Sequence, residues 1–140
     1  MGIVLQKKVL VVEDNMLNRE ILCDILSSTY EVLDAENGQE ALEVLEEYGE
    51  EISLILLDIV MPVMDGYTFL SRMKEKSGYS SMPVIVTTQS DTEADEVAAL
   101  SHGATDFVSK PYKPQIILHR VASIIHLRET SAMMHRVQYD

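Results

Sequence analysis

The 140-residue chain has a single cysteine and few positive charges, 11 Lys and Arg against 23 Asp and Glu. With only Cys23, no internal disulfide can form. That residue sits in a helical pattern beside Leu22 and reads as a reduced packing thiol rather than a nucleophile. The formal net charge of −12 opposes direct binding to DNA or RNA through phosphate repulsion, and disfavours an anionic membrane surface for the same reason. The longest apolar stretch is cut by Asp58 and Pro62, well short of the roughly 20 residues a membrane span needs. The start, "MGIVLQKK", lacks the apolar core of a signal peptide, so a cytosolic protein is expected. There is no low-complexity tract and no Gly/Ser-rich or Pro-rich linker. The length suits one globular unit with an appendage.

Strand-like and helix-like segments alternate along the chain. "KVLVV" (8–12) is a β-branched run ending in Glu13-Asp14, and residues 17–28 carry apolar side chains at helical spacing. A second strand is expected over 30–35, and an amphipathic helix over 38–49 with Leu42 and Leu45 facing inward. "ISLILL" (52–57) reads as a strand buried on both faces, and it runs straight into a carboxylate, Asp58. A turn at Asp65-Gly66 and a helix from Tyr67 to Lys76 follow. Residues 82–88, "MPVIVTT", give the fourth strand, 92–103 a helix stopped by Gly103, and 106–110 a short fifth strand. The last helix starts near Pro114, with proline in its first turn.

Five such strand–helix pairs imply a parallel sheet with right-handed crossovers and helices on both faces. The strands at 8 and 52 are the most apolar and belong in the centre; the strand at 30 carries Glu31 and Asp34 and suits an edge. The pattern fits an α/β, doubly wound, five-stranded parallel sheet of order 2-1-3-4-5, a flavodoxin-like (βα)5 arrangement. Such sheets bind ligands beyond the carboxyl ends of their strands.

Four strands finish in residues able to do chemistry: Glu13-Asp14, Asp58, Thr88 and Lys110. Carboxylates brought to about 4 Å repel by roughly 4 kcal/mol per pair at an effective dielectric near 20, so positive charge must offset them. Lys110 supplies one charge, and a divalent cation is the natural second. Hard oxygen ligands suit Mg²⁺, and no Cys/His cluster offers a zinc site. A cation on Asp14 and Asp58, with Lys110 and the Thr88 hydroxyl opposite, leaves room for a tetrahedral phosphoryl group, and Asp58 could act as its nucleophile. Taken singly, Asp58 and Glu13-Asp14 read as caps, Lys110 as a solvated charge and Thr88 as a β-former. Caps have no reason to gather at one end of one sheet.

The pieces "VVEDN", "LLDIVMPVMDG", "PVIVTT" and "SKPY", with "GATDFVSKP" across the last elements, resemble the response-regulator receiver domain of two-component signalling, the CheY-like family. The resemblance covers about residues 8 to 126. It implies that Asp58 is the phosphoacceptor, that Glu13, Asp14 and the Val60 backbone carbonyl hold Mg²⁺ with Asp58, that Thr88 bonds a phosphoryl oxygen and that Lys110 pairs with the phosphate. It also implies a cis bond before Pro111. Thr87 rivals Thr88, since successive strand residues face opposite sides and only one can address the pocket; the family places its hydroxyl at the strand's last position, Thr88.

Two departures stand out. Gln89 replaces a usually small residue, and Phe107 takes the aromatic switch position, so that any switch here works by packing without a hydroxyl. Phosphorylation is expected to draw Thr88 inward and let Phe107 fill the vacated space, remodelling the surface of the fourth helix, fifth strand and fifth helix. Val60 and Ser90 occupy positions that tune dephosphorylation in the family, and neither orients water well, which points to a long-lived phosphoryl group.

The remaining histidines and methionines carry no ligand pattern: His102, His119, His126 and His135 read as surface residues, and Met133-Met134 as packing. The receiver unit is expected over residues 1–126, with Ile117, Val121, Ile124 and Ile125 as the inward stripe of its last helix. Residues 127–140 continue with helical composition, as an extension or a linker to an output domain. Leu127, Met134 and Val137 form a candidate partner seam, although Arg128 and Ser131 interrupt a strict heptad. The ending "RETSAMMHRVQYD" resembles the connector before diguanylate cyclase domains. The expected partners are a histidine kinase or phosphotransfer protein, a second copy of the chain, and an output domain such as a diguanylate cyclase. A small Mg²⁺-dependent phosphohydrolase with an Asp nucleophile is the alternative, though Val60 stands where such enzymes usually place a second acid. A receiver-like module that has lost phosphorylation is a third reading, against which the complete acid, Thr and Lys set argues.

Overall fold

The computed structural model describes residues 6–59, 64–76, 79, 81–88 and 93–139, without the side chains of 93, 95 and 131–139. Five parallel strands, β1 (Lys8–Val12), β2 (Glu31–Ala35), β3 (Ile52–Asp58), β4 (Val84–Thr88) and β5 (Asp106–Ser109), form one sheet in the order β2-β1-β3-β4-β5. The helices between and after them are α1 (Met16–Ser27), α2 (Gly38–Tyr48), α3 (Gly66–Glu75), α4 (Glu93–Ser101) and α5 (Pro114–Tyr139). The expected fold class, strand order and edge position of β2 are those found.

Side-chain alternation along the strands splits the core in two. Leu10, Val12, Ile55, Leu57, Val84 and Val86 face α2, α3 and α4, where Leu42, Leu45, Phe69, Leu70 and Met73 cover them. Val9, Val11, Leu54, Leu56 and Ile85 face Leu22 and Leu26 of α1 and Ile117, Val121 and Ile125 of α5. Each of these buried side chains contributes about 1.5–3 kcal/mol by leaving water. The central β3 carries apolar residues on both faces, as a strand covered by helices on both sides requires.

Local chemistry sets the ends of the elements. Asn15, Asn37 and Asp65 cap α1, α2 and α3, each side chain accepting the backbone N–H three residues on, at 2.9, 2.9 and 2.8 Å. The expected turn at Asp65-Gly66 is thus a helix start. Gly66 is required there: a Cβ would lie 2.6 Å from the Asp58 carbonyl oxygen and 2.7 Å from the Ile59 Cα. Gly103 ends the α4 region with φ of 101°, a left-handed conformation that only glycine adopts freely.

Most element boundaries differ from expectation by a residue or two, and for three strands the local cause is visible. β2 begins at Glu31 because the Tyr30 N–H still bonds the Leu26 carbonyl of α1, at 2.9 Å. β4 begins at Val84, since Pro83 has no N–H for the ladder, although its carbonyl accepts from Ile55 at 3.0 Å. β5 stops at Ser109, just before the cis Lys110–Pro111 bond.

Helix α5 continues unbroken past Ile125. Its next turn is tied to the amino end of the sheet: Arg128 Nη1 donates to the Ser53 carbonyl at 3.0 Å, and Glu129 pairs with Lys7. No helix among the described residues is long and apolar enough to cross a membrane.

Candidate functional site: an acidic crevice closed by a lysine and a tyrosine

The carboxyl ends of β1, β3, β4 and β5 meet in a cavity of about 190 Å³ lined by Glu13, Asp14, Asn15, Asn18, Asp58, Thr88 and Lys110. Ladder bonds continue past the strands and pin this rim. Glu13 N–H donates to the Ala35 carbonyl at 3.1 Å, and Lys110 N–H to the Thr88 carbonyl at 2.8 Å. The backbone of Glu13 and Lys110 is therefore held in the sheet's hydrogen-bond ladder.

Glu13 and Asp58 are buried carboxylates, 0% and 4% exposed, and one oxygen from each lies within 4.8 Å of one from the exposed Asp14. Lys110 Nζ bridges the buried pair, 3.3 Å from Glu13 Oε1 and 3.7 Å from Asp58 Oδ1. One ammonium cannot neutralise three carboxylates. Burial, then the adjacent Glu13, push the Asp58 carboxyl up to about 8. Glu13 lies below the usual carboxylate range: burial works against this, but the interaction with Asp58, the Lys110 charge, and donors from Tyr112 and Asn15 outweigh it. This crowding favours the protonated form of Asp58 unless further positive charge enters. The donors are all hard oxygens, and among the described residues no Cys or His joins them. Chemically the set fits Mg²⁺ or a similar hard cation.

Adjacent residues of β4 diverge. Thr88 lines the cavity, whereas Thr87, paired in register with Asp58, turns into the sheet's interior and is 1% exposed. Phe107 is half-buried against the α2–α4 side of the core. Val60, Gln89 and Ser90 lie outside the described residues, as do the side chains of Met133, Met134, His135 and Val137. His102 and His119 are exposed, and His102 also stacks on Tyr67, with ring centroids 4.2 Å apart. The Cys23 thiol is half-buried and pushed up to about 11, chiefly by burial, which leaves it a poor nucleophile.

One site residue escaped the sequence reading. The Tyr112 hydroxyl donates to Glu13 Oε1 at 3.0 Å, closing the back of the acid pair. Burial pushes the phenol pKa upward, reinforced by the Glu13 and Asp58 charges and opposed by the nearby Thr87 hydroxyl. Its signal was a phenol two residues beyond the lysine, in "SKPY".

A doubly wound parallel sheet with a polar crevice beyond the carboxyl ends of its strands defines a class of ligand-binding α/β domains. The response regulator receiver domain model matches residues 9–122, and the chain belongs to that family. It is 31% identical over 137 residues to the alkaline phosphatase synthesis transcriptional regulatory protein PhoP of Bacillus subtilis, covering 97% of this chain and 55% of that protein. A structure described as a two-component system response regulator/GGDEF domain protein superposes with TM-score 0.82 at 30% identity, over 89% of this chain and 51% of the other. The receiver domain of sensor histidine kinase PA1611 from Pseudomonas aeruginosa, solved with magnesium coordinated in its active-site cleft, gives TM-score 0.78 at 27% identity, over 88% and 99%. The chain spans about half the length of PhoP and of the GGDEF protein. The family is one of signalling domains rather than dedicated enzymes.

Proposed function

We propose that this chain is a phosphorylation-dependent switch that receives a phosphoryl group on Asp58 from a phosphohistidine of a kinase or phosphotransfer protein. The observation that carries the proposal is the juxtaposition of the buried Asp58 carboxylate with Lys110, Glu13, Asp14 and Thr88 in one small cavity. Phosphoryl transfer needs positioning and charge neutralisation more than covalent help, and this crevice supplies both. Asp58 is fixed at the end of the buried strand β3. Its oxygen attacks phosphorus as the N–P bond breaks, the imidazole nitrogen takes a proton, and an acyl phosphate results. Lys110 moves its charge to the new phosphoryl oxygens, and the Thr88 hydroxyl bonds one of them. Mg²⁺ held by Glu13, Asp14, Asp58 and the Val60 carbonyl would neutralise the remaining negative charge.

Phe107 then takes the space Thr88 leaves, altering the α4-β5-α5 surface. Residues 127–140 lead away as a helical extension, toward a second copy of the chain or an output domain such as a diguanylate cyclase. The neighbour with a GGDEF domain supports that output class. The setting is cytoplasmic.

Acetyl phosphate with Mg²⁺ tests the function. A mass increase of one phosphoryl group, lost in Asp58→Asn and persisting well beyond seconds, is expected. Repeated turnover would indicate a phosphohydrolase, and no adduct would refute the switch.

A further inference from the structure

Tyr112 and Thr87 form a polar pair that phosphoryl transfer to Asp58 does not use. Thr87 is fully buried on the strand face shared by Ile85 and the α1–α5 core, and its Oγ1 lies near the Tyr112 phenol without closing a hydrogen bond of good geometry. An unpaired buried hydroxyl costs about 1–3 kcal/mol, and valine fills the same volume without that cost. The neighbouring polar group is the Tyr112 phenol, which bonds Glu13 at 3.0 Å. The three groups lie in sequence from the sheet interior to the crevice: hydroxyl, phenol, carboxylate.

Lys110 is divided between Glu13 and Asp58, at 3.3 and 3.7 Å. Once Asp58 gains a phosphoryl group, that ammonium is drawn forward. Tyr112 is then the donor left on Glu13 Oε1, and it is anchored on the segment entering α5. We propose that Tyr112 is a positioning residue for the cation site: backed by the Thr87 hydroxyl, its phenol holds the Glu13 carboxylate in the orientation that receives a divalent cation. This rests on the assignment of Glu13 as a cation ligand. Partners that orient a ligand from behind govern metal affinity even though they never touch the metal.

Mg²⁺ titration of the full chain by calorimetry, at fixed pH and without phosphodonor, tests the inference. Tyr112→Phe keeps the ring and removes the hydroxyl; it is expected to weaken Mg²⁺ binding about tenfold. Thr87→Val should weaken binding in the same direction by a smaller factor. In the Glu13→Gln background, Tyr112→Phe should add little, because the phenol acts through Glu13. Wild-type affinity in Tyr112→Phe overturns the inference, as does a full additional loss in the Glu13→Gln background. Should Tyr112→Phe fail to fold, an unchanged affinity in Thr87→Val overturns it instead. If the wild type shows no saturable Mg²⁺ binding, or Glu13→Gln binds as well as wild type, the cation assignment falls and the inference with it. If only Tyr112→Phe is silent, the positioning role fails alone.

Discussion

Replacing Asp58 by Asn should stabilise the Mg²⁺-free protein, and more so at high pH than at low pH. Burial and Glu13 raise the Asp58 carboxyl from 3.8 to about 8. The folded state therefore binds a proton that the unfolded chain releases above pH 4. Stability from this group is fully present below about pH 4 and is lost progressively as pH rises toward 8. One pKa unit corresponds to about 1.4 kcal/mol, which sets an upper bound of about 6 kcal/mol. Water entry and the proton shared with Glu13 reduce the expected effect to about 2–3 kcal/mol. Glu13 titrates below its ordinary range, so its contribution is complete above about pH 4.5 and does not enter this window. Urea unfolding of wild type and Asp58→Asn at pH 5 and pH 8, in EDTA, measures the difference; taking it between the two proteins cancels the histidines. The gap should widen by about 2 kcal/mol between the two pH values. Saturating Mg²⁺ should remove most of it by stabilising the ionised form. A gap that is equal at both pH values would refute the charge-crowding argument.

Gly66→Ala should destabilise by about 2–4 kcal/mol in urea unfolding, because the new methyl meets backbone atoms of Asp58 and Ile59 that cannot yield. Gly38→Ala should cost about 1 kcal/mol or less in the same assay, since its Cβ meets the flexible Met64 side chain at 2.9 Å. Arg128→Met should leave the melting temperature within a few degrees while raising amide exchange in residues 126–139; unchanged exchange would show that the Ser53 contact does not hold the helix. Thr88→Ala should weaken the response to the phosphate mimic beryllofluoride in solution NMR, and Thr87→Ala should leave that response in place.

The fold was legible because β1 and β3 are continuous apolar runs and every crossover carries a helical period. Asp58 and Lys110 were legible because polar residues at the ends of such strands have one shared destination. Tyr112 was not: it follows a proline in a short loop, and only the three-dimensional return of that loop brings it under Glu13, 99 residues earlier in the chain. Arg128 was misleading for a related reason. In a heptad search it is an interruption, whereas in the fold it bonds a carbonyl 75 residues away. Long-range polar contacts of this kind leave no periodic trace. The difference between Thr87 and Thr88 follows from strand alternation, but which of them faces the crevice depends on where the strand ends.

Helix α5 begins beside the crevice and is bolted to the opposite end of the sheet by Arg128. At about 1.5 Å per residue, its span from Pro114 to Tyr139 is roughly 38 Å. A module attached beyond it would therefore stand at the far pole of the domain, away from Asp58. No contact at Asp58 could inform such a module directly. The message would have to travel as torque or displacement of the helix itself, with the Arg128 anchorage as its fulcrum.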